Sequence, residues 1–111
     1  MSYWTHITAC LSIETNIIDK RPQVLKQVNA YLENAPKITG SENDATIFVN
    51  MQKGYNVSGS DGKFQTCVVI SIQGDLRDRT QAQTQQEFYE FFNYIRDKYY
   101  VRDYALNIES D

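Results

Sequence analysis

The sequence has little of the material from which cofactor, metal and disulfide sites are usually built. It contains two cysteines, one histidine and two prolines among 111 residues. It contains no P-loop, no GxGxxG, no HExxH, no CxxC and no serine-centred nucleophile elbow. These absences remove the common routes to catalysis, and we expect no cofactor, no metal and no catalytic residue.

Long apolar runs and an excess of basic residues are missing as well. No stretch approaches the roughly 18 apolar residues of a membrane span, and the first residues lack the pattern of a signal peptide. The formal charge is −3, which argues against nucleic acid as a partner because such binding depends on Lys and Arg at phosphates. Cys10 and Cys67 lie in apolar runs, as reduced thiols do, so we expect a cytoplasmic protein.

Apolar and aromatic residues are present in the proportions of a folded domain. They make up 41% and 13% of the chain, and the length leaves room for one domain, residues 1–111, with one core. Residues 3–13 alternate in polarity, which predicts a strand with Trp4, His6, Thr8 and Cys10 on its polar face.

The remaining elements follow from periodicity, turn residues and helix caps. Thr80 with Gln83 forms a capping-box pattern at the start of the second helix. The predicted turns and loops cover residues 14–21, 36–44, 53–63 and 74–79. The predicted strands and helices cover residues 3–13 (strand), 22–34 (helix), 45–51 (strand), 65–73 (strand), 80–99 (helix) and 101–109 (strand).

This order predicts an α+β fold, a ferredoxin-like βαββαβ sandwich with two helices on one face of a four-stranded antiparallel sheet. Right-handed crossovers favour the strand order 4-1-3-2, and a linear meander is the alternative. In the sandwich the 36–45 and 74–79 connections emerge at the same end of the sheet. We expect the binding residues there: Lys37, Gly40, Ser41, Glu42, Asp44, Gly74, Asp75, Arg77, Asp78 and Arg79.

Two interpretations of the 74–79 segment remain open. Free N–H groups and the arginines Arg77 and Arg79 at the start of the second helix could hold an anion. Alternatively, the aspartates favour the helix N-terminus and the arginines pair with them. The other face of the sheet, with Trp4, His6 and Thr8, is left bare, which suits a partner surface or a homodimer interface.

Three segments carry a resemblance. Ser2–Ile7, Pro36–Glu42 and Gly74–Arg79 together resemble a set of small, uncharacterised proteins of phages and prophages of Gram-positive bacteria. The resemblance implies a viral protein that works in the cytoplasm of a bacterial host. Small phage proteins often bind and disable host proteins, including defence systems.

The sequence therefore predicts a non-enzymatic interaction protein, an inhibitor or regulator of a host protein. The alternative is a small module that binds a nucleotide or another anion at the helix start near Thr80. A third hypothesis is an enzyme, in which Asp75 or Asp78 would be the general acid or base.

Overall fold

The computed structural model of the protein describes residues 3–15, 21–56 and 64–111. Its elements confirm the predicted α+β class and element order. They are β1 (Trp4–Thr15), α1 (Arg21–Leu32), β2 (Thr46–Asn56), β3 (Phe64–Arg77), α2 (Gln81–Arg96) and β4 (Tyr100–Ser110).

The four strands form one antiparallel sheet in the order β2-β3-β1-β4. Read from the other edge this is the predicted order 4-1-3-2, so the meander alternative is wrong. β1 lies between β3 and β4, which leaves β2 and β4 as edge strands. β1 therefore pairs with a neighbouring strand on each side from Thr5 to Glu14.

The core lies between the sheet and the two helices. Alternation along β1 and β3 sends every second side chain inward, and helix spacing does the same on α1 and α2. Thr5 and Thr84 are buried among these apolar residues. The buried apolar residues are Ile7, Ala9, Leu11, Ile13, Val24, Val28, Ile38, Val68, Ile70, Ile72, Leu76, Phe88, Phe91 and Ile95.

The two helices are also joined directly through a pair of tyrosines. The rings of Tyr31 and Tyr94 stack with their centroids 4.2 Å apart. The Tyr31 hydroxyl donates to the backbone carbonyl of Tyr94 at 2.5 Å, and the Tyr94 hydroxyl donates to that of Tyr31 at 2.6 Å. The tyrosine-rich part of α2 therefore serves helix packing.

The predicted capping box is present at the start of α2. Thr80 Oγ1 accepts from the Gln83 N–H at 3.1 Å, and the Thr80 N–H donates to Gln83 Oε1 at 2.9 Å. α2 ends at Arg96, earlier than predicted, with Asp97 as its C-cap.

Every strand runs past a predicted end, and the longer extensions of β2 and β3 change the site. Residues 53–56 belong to β2 and residues 74–77 belong to β3, so the predicted loops at those positions are wrong. The extension of β3 is stabilised by Leu76, which is fully buried, and by pairing with β1 up to Trp4 opposite Arg77. Of the other predicted loop residues, 14 and 15 belong to β1 and 21 belongs to α1, whereas 16–20 and 57–63 lie outside the described residues.

β4 is only partly buried. Leu106 and Ile108 are half-buried against the core, but Tyr104 is 42% exposed at the sheet edge. A register shift after Ser12 leaves a bulge in β4, which is a common feature of edge strands. The Tyr104 ring still packs on Phe92, with 4.7 Å between centroids. No helix in the described part of the chain is long and apolar enough to cross a membrane.

The core predicts a sharp contrast between two aromatic positions. We expect Phe91→Ala to lower the free energy of unfolding by about 3–5 kcal/mol, because a fully buried ring leaves a cavity. The matched control Tyr100→Ala removes a ring that is 66% exposed and should cost about 1 kcal/mol or less. Urea denaturation of both variants measures this, and equal losses would contradict the assigned core.

Candidate functional site

The structure brings the 36–45 connection into contact with the end of β3. The Ser41 N–H donates to the Arg77 carbonyl at 3.0 Å, and Ser41 Oγ donates to Asp78 Oδ2 at 3.2 Å. Gly40 is required for this approach, since a Cβ there would lie 2.8 Å from the Asn43 carbonyl oxygen and 3.1 Å from the Arg77 nitrogen. The two segments predicted to share one end of the sheet therefore form a single surface.

We call this the loop-end surface, and its charged groups pair with one another. The Arg77 guanidinium donates to the Glu42 carboxylate and also lies 3.9 Å from Asp78 Oδ2. Lys37 Nζ lies 3.9 Å from Asp44 Oδ2. The loop-end surface comprises Lys37, Gly40, Ser41, Glu42, Asp44, Arg77, Asp78 and Arg79. Its ion pairs are solvent-exposed, so each contributes little to stability.

Asp78 makes the turn from β3 to α2. Its φ is 60°, in the left-handed region that aspartate tolerates better than most residues. Its N–H donates to the Tyr3 carbonyl at 2.9 Å, which fixes the turn to the start of β1. The turn places the Asp78 carboxylate beside both Ser41 and Arg77.

A second polar cluster holds the loop-end surface to α2. The Thr39 N–H and Oγ1 donate to Glu87 Oε1 at 3.1 and 2.6 Å, and Arg79 Nε donates to Thr39 Oγ1 at 3.4 Å. Thr5 Oγ1 donates to the Arg79 carbonyl at 2.5 Å. Sequence reasoning did not find Thr39, Glu87 or Thr5 because they come from three separate segments with no local pattern.

The start of α2 has fewer free hydrogen-bond donors for an anion than the sequence suggested. The capping box uses the N–H groups of Thr80 and Gln83, and Arg79 donates to Thr39 and, at 3.2 Å, to the Asp78 carbonyl. Arg77 pairs with the acids Glu42 and Asp78. These contacts support the interpretation in which arginines and aspartates pair with each other.

Gly74 and Asp75 do not join the loop-end surface. Both lie in β3, where Gly74 packs against Ala45 and Asp75 projects from the open face of the sheet. Here the open face means the side of the sheet turned away from the helices. Asp75 is opposite His6 on β1, and the two meet through side chains.

His6 lies between two carboxylates on the open face. Its Nδ1 is 2.6 Å from Asp75 Oδ1 and its Nε2 is 3.0 Å from Asp111 Oδ2. Ionised carboxylates only accept hydrogen bonds, so both contacts are satisfied together when the imidazole carries a proton on each nitrogen. The hydrogen bonds to Asp75 and then Asp111 raise the pKa of His6 above its usual value.

The predicted open-face residues Trp4, His6 and Thr8 do project from the same side of β1, and Cys10 is exposed there as well. Cys67, however, lies opposite Glu14, whereas Cys10 lies opposite Ser71. The four-residue offset separates the two cysteine backbones by about 13 Å along the strands, too far for a disulfide without backbone movement. Among the described residues, no group of histidine, cysteine and acidic side chains could hold a metal ion.

Comparisons with known proteins add little. No protein-family model matches the chain, and no curated protein matches it. One similar solved structure is the crystal structure of an amidase of the hydantoinase/carbamoylase family from Burkholderia multivorans, at 16% sequence identity and a TM-score of 0.26. The match covers 99% of this chain and 27% of that one, so this chain spans about a quarter of its length. At that score the likeness assigns neither a fold family nor a function.

The contacts of His6 predict its titration. We expect the imidazole pKa, followed by NMR, to lie above about 6.5 and to fall toward that value in Asp75→Asn, which removes the closer carboxylate. Glu33→Gln, an exposed acid just beyond α1, is the control and should leave the titration unchanged. A pKa in Asp75→Asn equal to that of the wild type would contradict the assigned contact.

The same contacts predict how stability depends on pH. A raised pKa means that the folded state binds the proton more tightly than the unfolded state does. The stabilisation from protonated His6 is therefore fully present below the unfolded-state pKa of about 6.5 and is lost as the pH rises through the folded-state pKa. We expect the free energy of unfolding of the wild type, minus that of His6→Gln, to fall as the pH rises from about 6.5 through the folded-state pKa. A rise of this difference over the same pH range would contradict the assigned contacts.

Proposed function

We propose that the protein is a non-enzymatic interaction protein that binds another protein through the loop-end surface. One observation carries this proposal: the 36–45 connection and the end of β3 are bound to each other by Ser41, which contacts both Arg77 and Asp78. A partner would therefore meet a surface whose backbone is already ordered. Less conformational entropy is lost when such a surface binds.

The charges of this surface suit a protein partner better than a phosphate. Glu42, Asp44 and Asp78 are interleaved with Lys37 and Arg77, so both signs lie within one small area. Alternating charges select a partner by complementarity of its own charges and reject a like-charged one. A phosphate site would instead need several donors without acids between them.

The resemblance to phage and prophage proteins supports a bacterial host protein as the partner, and an inhibitor or regulator of that protein as the role. The strand order supports the finer proposal that the sandwich has ferredoxin-like topology. In that topology both connections of the loop-end surface belong to one end of the sheet, opposite the end where β2 finishes at Asn56 and β3 begins at Phe64.

Affinity capture from a Gram-positive host lysate identifies the partner, and a charge exchange then tests the surface. The variant Glu42→Arg with Arg77→Glu keeps the ion pair between positions 42 and 77 and the net charge, loses the 3.9 Å approach of Arg77 to Asp78, and reverses the pattern presented to a partner. We expect the purified partner to bind it about tenfold or more weakly, since like charges then face each other. Its melting temperature should stay close to that of the wild type, because exposed ion pairs contribute little to stability.

The control is a charge exchange of the same size elsewhere. Lys26→Glu with Glu33→Lys reverses two exposed charges on and just beyond α1, and binding should be unchanged. Full binding by the Glu42/Arg77 exchange, or no stoichiometric protein captured from the lysate, would count against the proposal.

A further inference from the structure

The open face of the sheet has a hollow beside an exposed aromatic side chain. Phe48, on the edge strand β2, is 49% exposed. Next to it lies a shallow depression of about 420 Å³ with Cys10, Ser71 and Ala105 among its lining residues. These small side chains extend less far from the sheet than the Phe48 ring does. A large side chain therefore lies next to a hollow lined by small residues on the same surface.

The strand register places these residues in one row across the sheet. Phe48 is opposite Ser71, Ser71 is opposite Cys10, and Cys10 is opposite Ala105. The large residue thus lies at one edge of the sheet, on β2, and the smallest lies at the other edge, on β4. Because the large residue and the small residue lie at opposite ends of one row, a two-fold axis can place the large residue of each copy against the small residue of the other.

We infer that the open face binds a second copy of this chain, with the Phe48 ring of each copy seated over Ala105 of the other. A two-fold axis parallel to the strands and passing between β3 and β1 lays β2 of one copy over β4 of the other. Residues of one row then face the same row. The perpendicular axis would instead oppose β2 to β2, with no small residue of β4 under Phe48.

The charges of the face are compatible with this arrangement. In the row of His6, Asp75 on β3 and Glu109 on β4 flank the imidazole. The axis opposes Asp75 to His6 of the second copy. Glu109 faces the residues that precede β2 in the second copy. β2 itself begins at Thr46, which pairs with Gln73 in the next outward-facing row. Each His6 is therefore placed near Asp75 of both copies, and this contact is attractive when the imidazole is protonated.

The size of the face meets what a stable dimer needs. β1 presents outward residues from Trp4 to Glu14, a rise of about 33 Å, and four strands are about 19 Å wide. The face therefore offers about 600 Å² per copy, or about 1,200 Å² in a dimer, at the lower limit of specific interfaces. Because much of it is polar, the Phe48 contact is expected to carry most of the affinity.

Two variants test the contact by sedimentation velocity over a micromolar concentration series. Phe48→Thr removes the ring and introduces a β-branched residue that strands favour, and Ala105→Gln fills the hollow. Each should weaken dimerisation about tenfold or more, as loss of a buried aromatic anchor does. Tyr3→Thr, which removes an exposed ring outside the open face, is the matched control and should dimerise like the wild type.

Cross-linking tests the orientation. In a Cys67→Ser background Cys10 is the remaining cysteine, and the proposed axis brings the two Cys10 backbones to about 11 Å from each other. A dimer formed by pairing the β2 edges would separate them by about 24 Å. Bismaleimidoethane should therefore link the proposed dimer efficiently through Cys10, and Phe48→Thr should reduce the yield.

A wild type that stays monomeric at high micromolar concentration overturns the inference. A dimer that Phe48→Thr and Ala105→Gln leave intact, or one that bismaleimidoethane does not link through Cys10, overturns it as well. These results leave the loop-end proposal untouched, because Glu42 and Arg77 do not contribute to the Phe48 contact.

Discussion

The close packing of Gly74 against Ala45 is the constraint on which the rest of the site depends. A Cβ at Gly74 would lie 2.9 Å from the Ala45 Cα, so only glycine lets β3 pass the beginning of β2 at this distance. Beyond Gly74 the strand continues to Arg77 and buries Leu76 in the core. That continuation places Asp75 beside His6 and brings Arg77 within reach of Ser41.

The continuation of β3 beyond Gly74 is also the feature that the sequence did not predict. The alternation in β1, the capping box of Thr80 and the strand order all follow from local pattern and handedness, and the structure has each of them. Gly74-Asp75 is typical of a turn, and nothing within a few residues outweighs that preference. It is outweighed by a partner strand more than 60 residues away in sequence, opposite Ile7 and His6.

The candidate site divides in the same way. Topology alone predicted that the 36–45 connection would meet the residues around Arg77 and Asp78, because alternate connections share an end of the sheet. Topology could not predict that Thr39 binds Glu87 or that Asp111 reaches His6, since those contacts depend on side-chain direction at the ends of elements. The contact between His6 and Asp75 could not be predicted either, because Asp75 was assigned to a loop.

The two proposed surfaces are related by the direction of the strands. Rotation about an axis parallel to the strands preserves their direction, so both loop-end surfaces of the proposed dimer lie at the same end of the assembly. A symmetric or repetitive host protein could then be bound at two points at once. The second contact forms at the effective concentration set by the rigid sheet rather than by the concentration in solution, so modest affinity at each Glu42–Arg77 surface gives tight binding overall. The bare sheet face and the charged loop end would thus contribute to one activity, the first by setting the spacing and the second by recognising the partner.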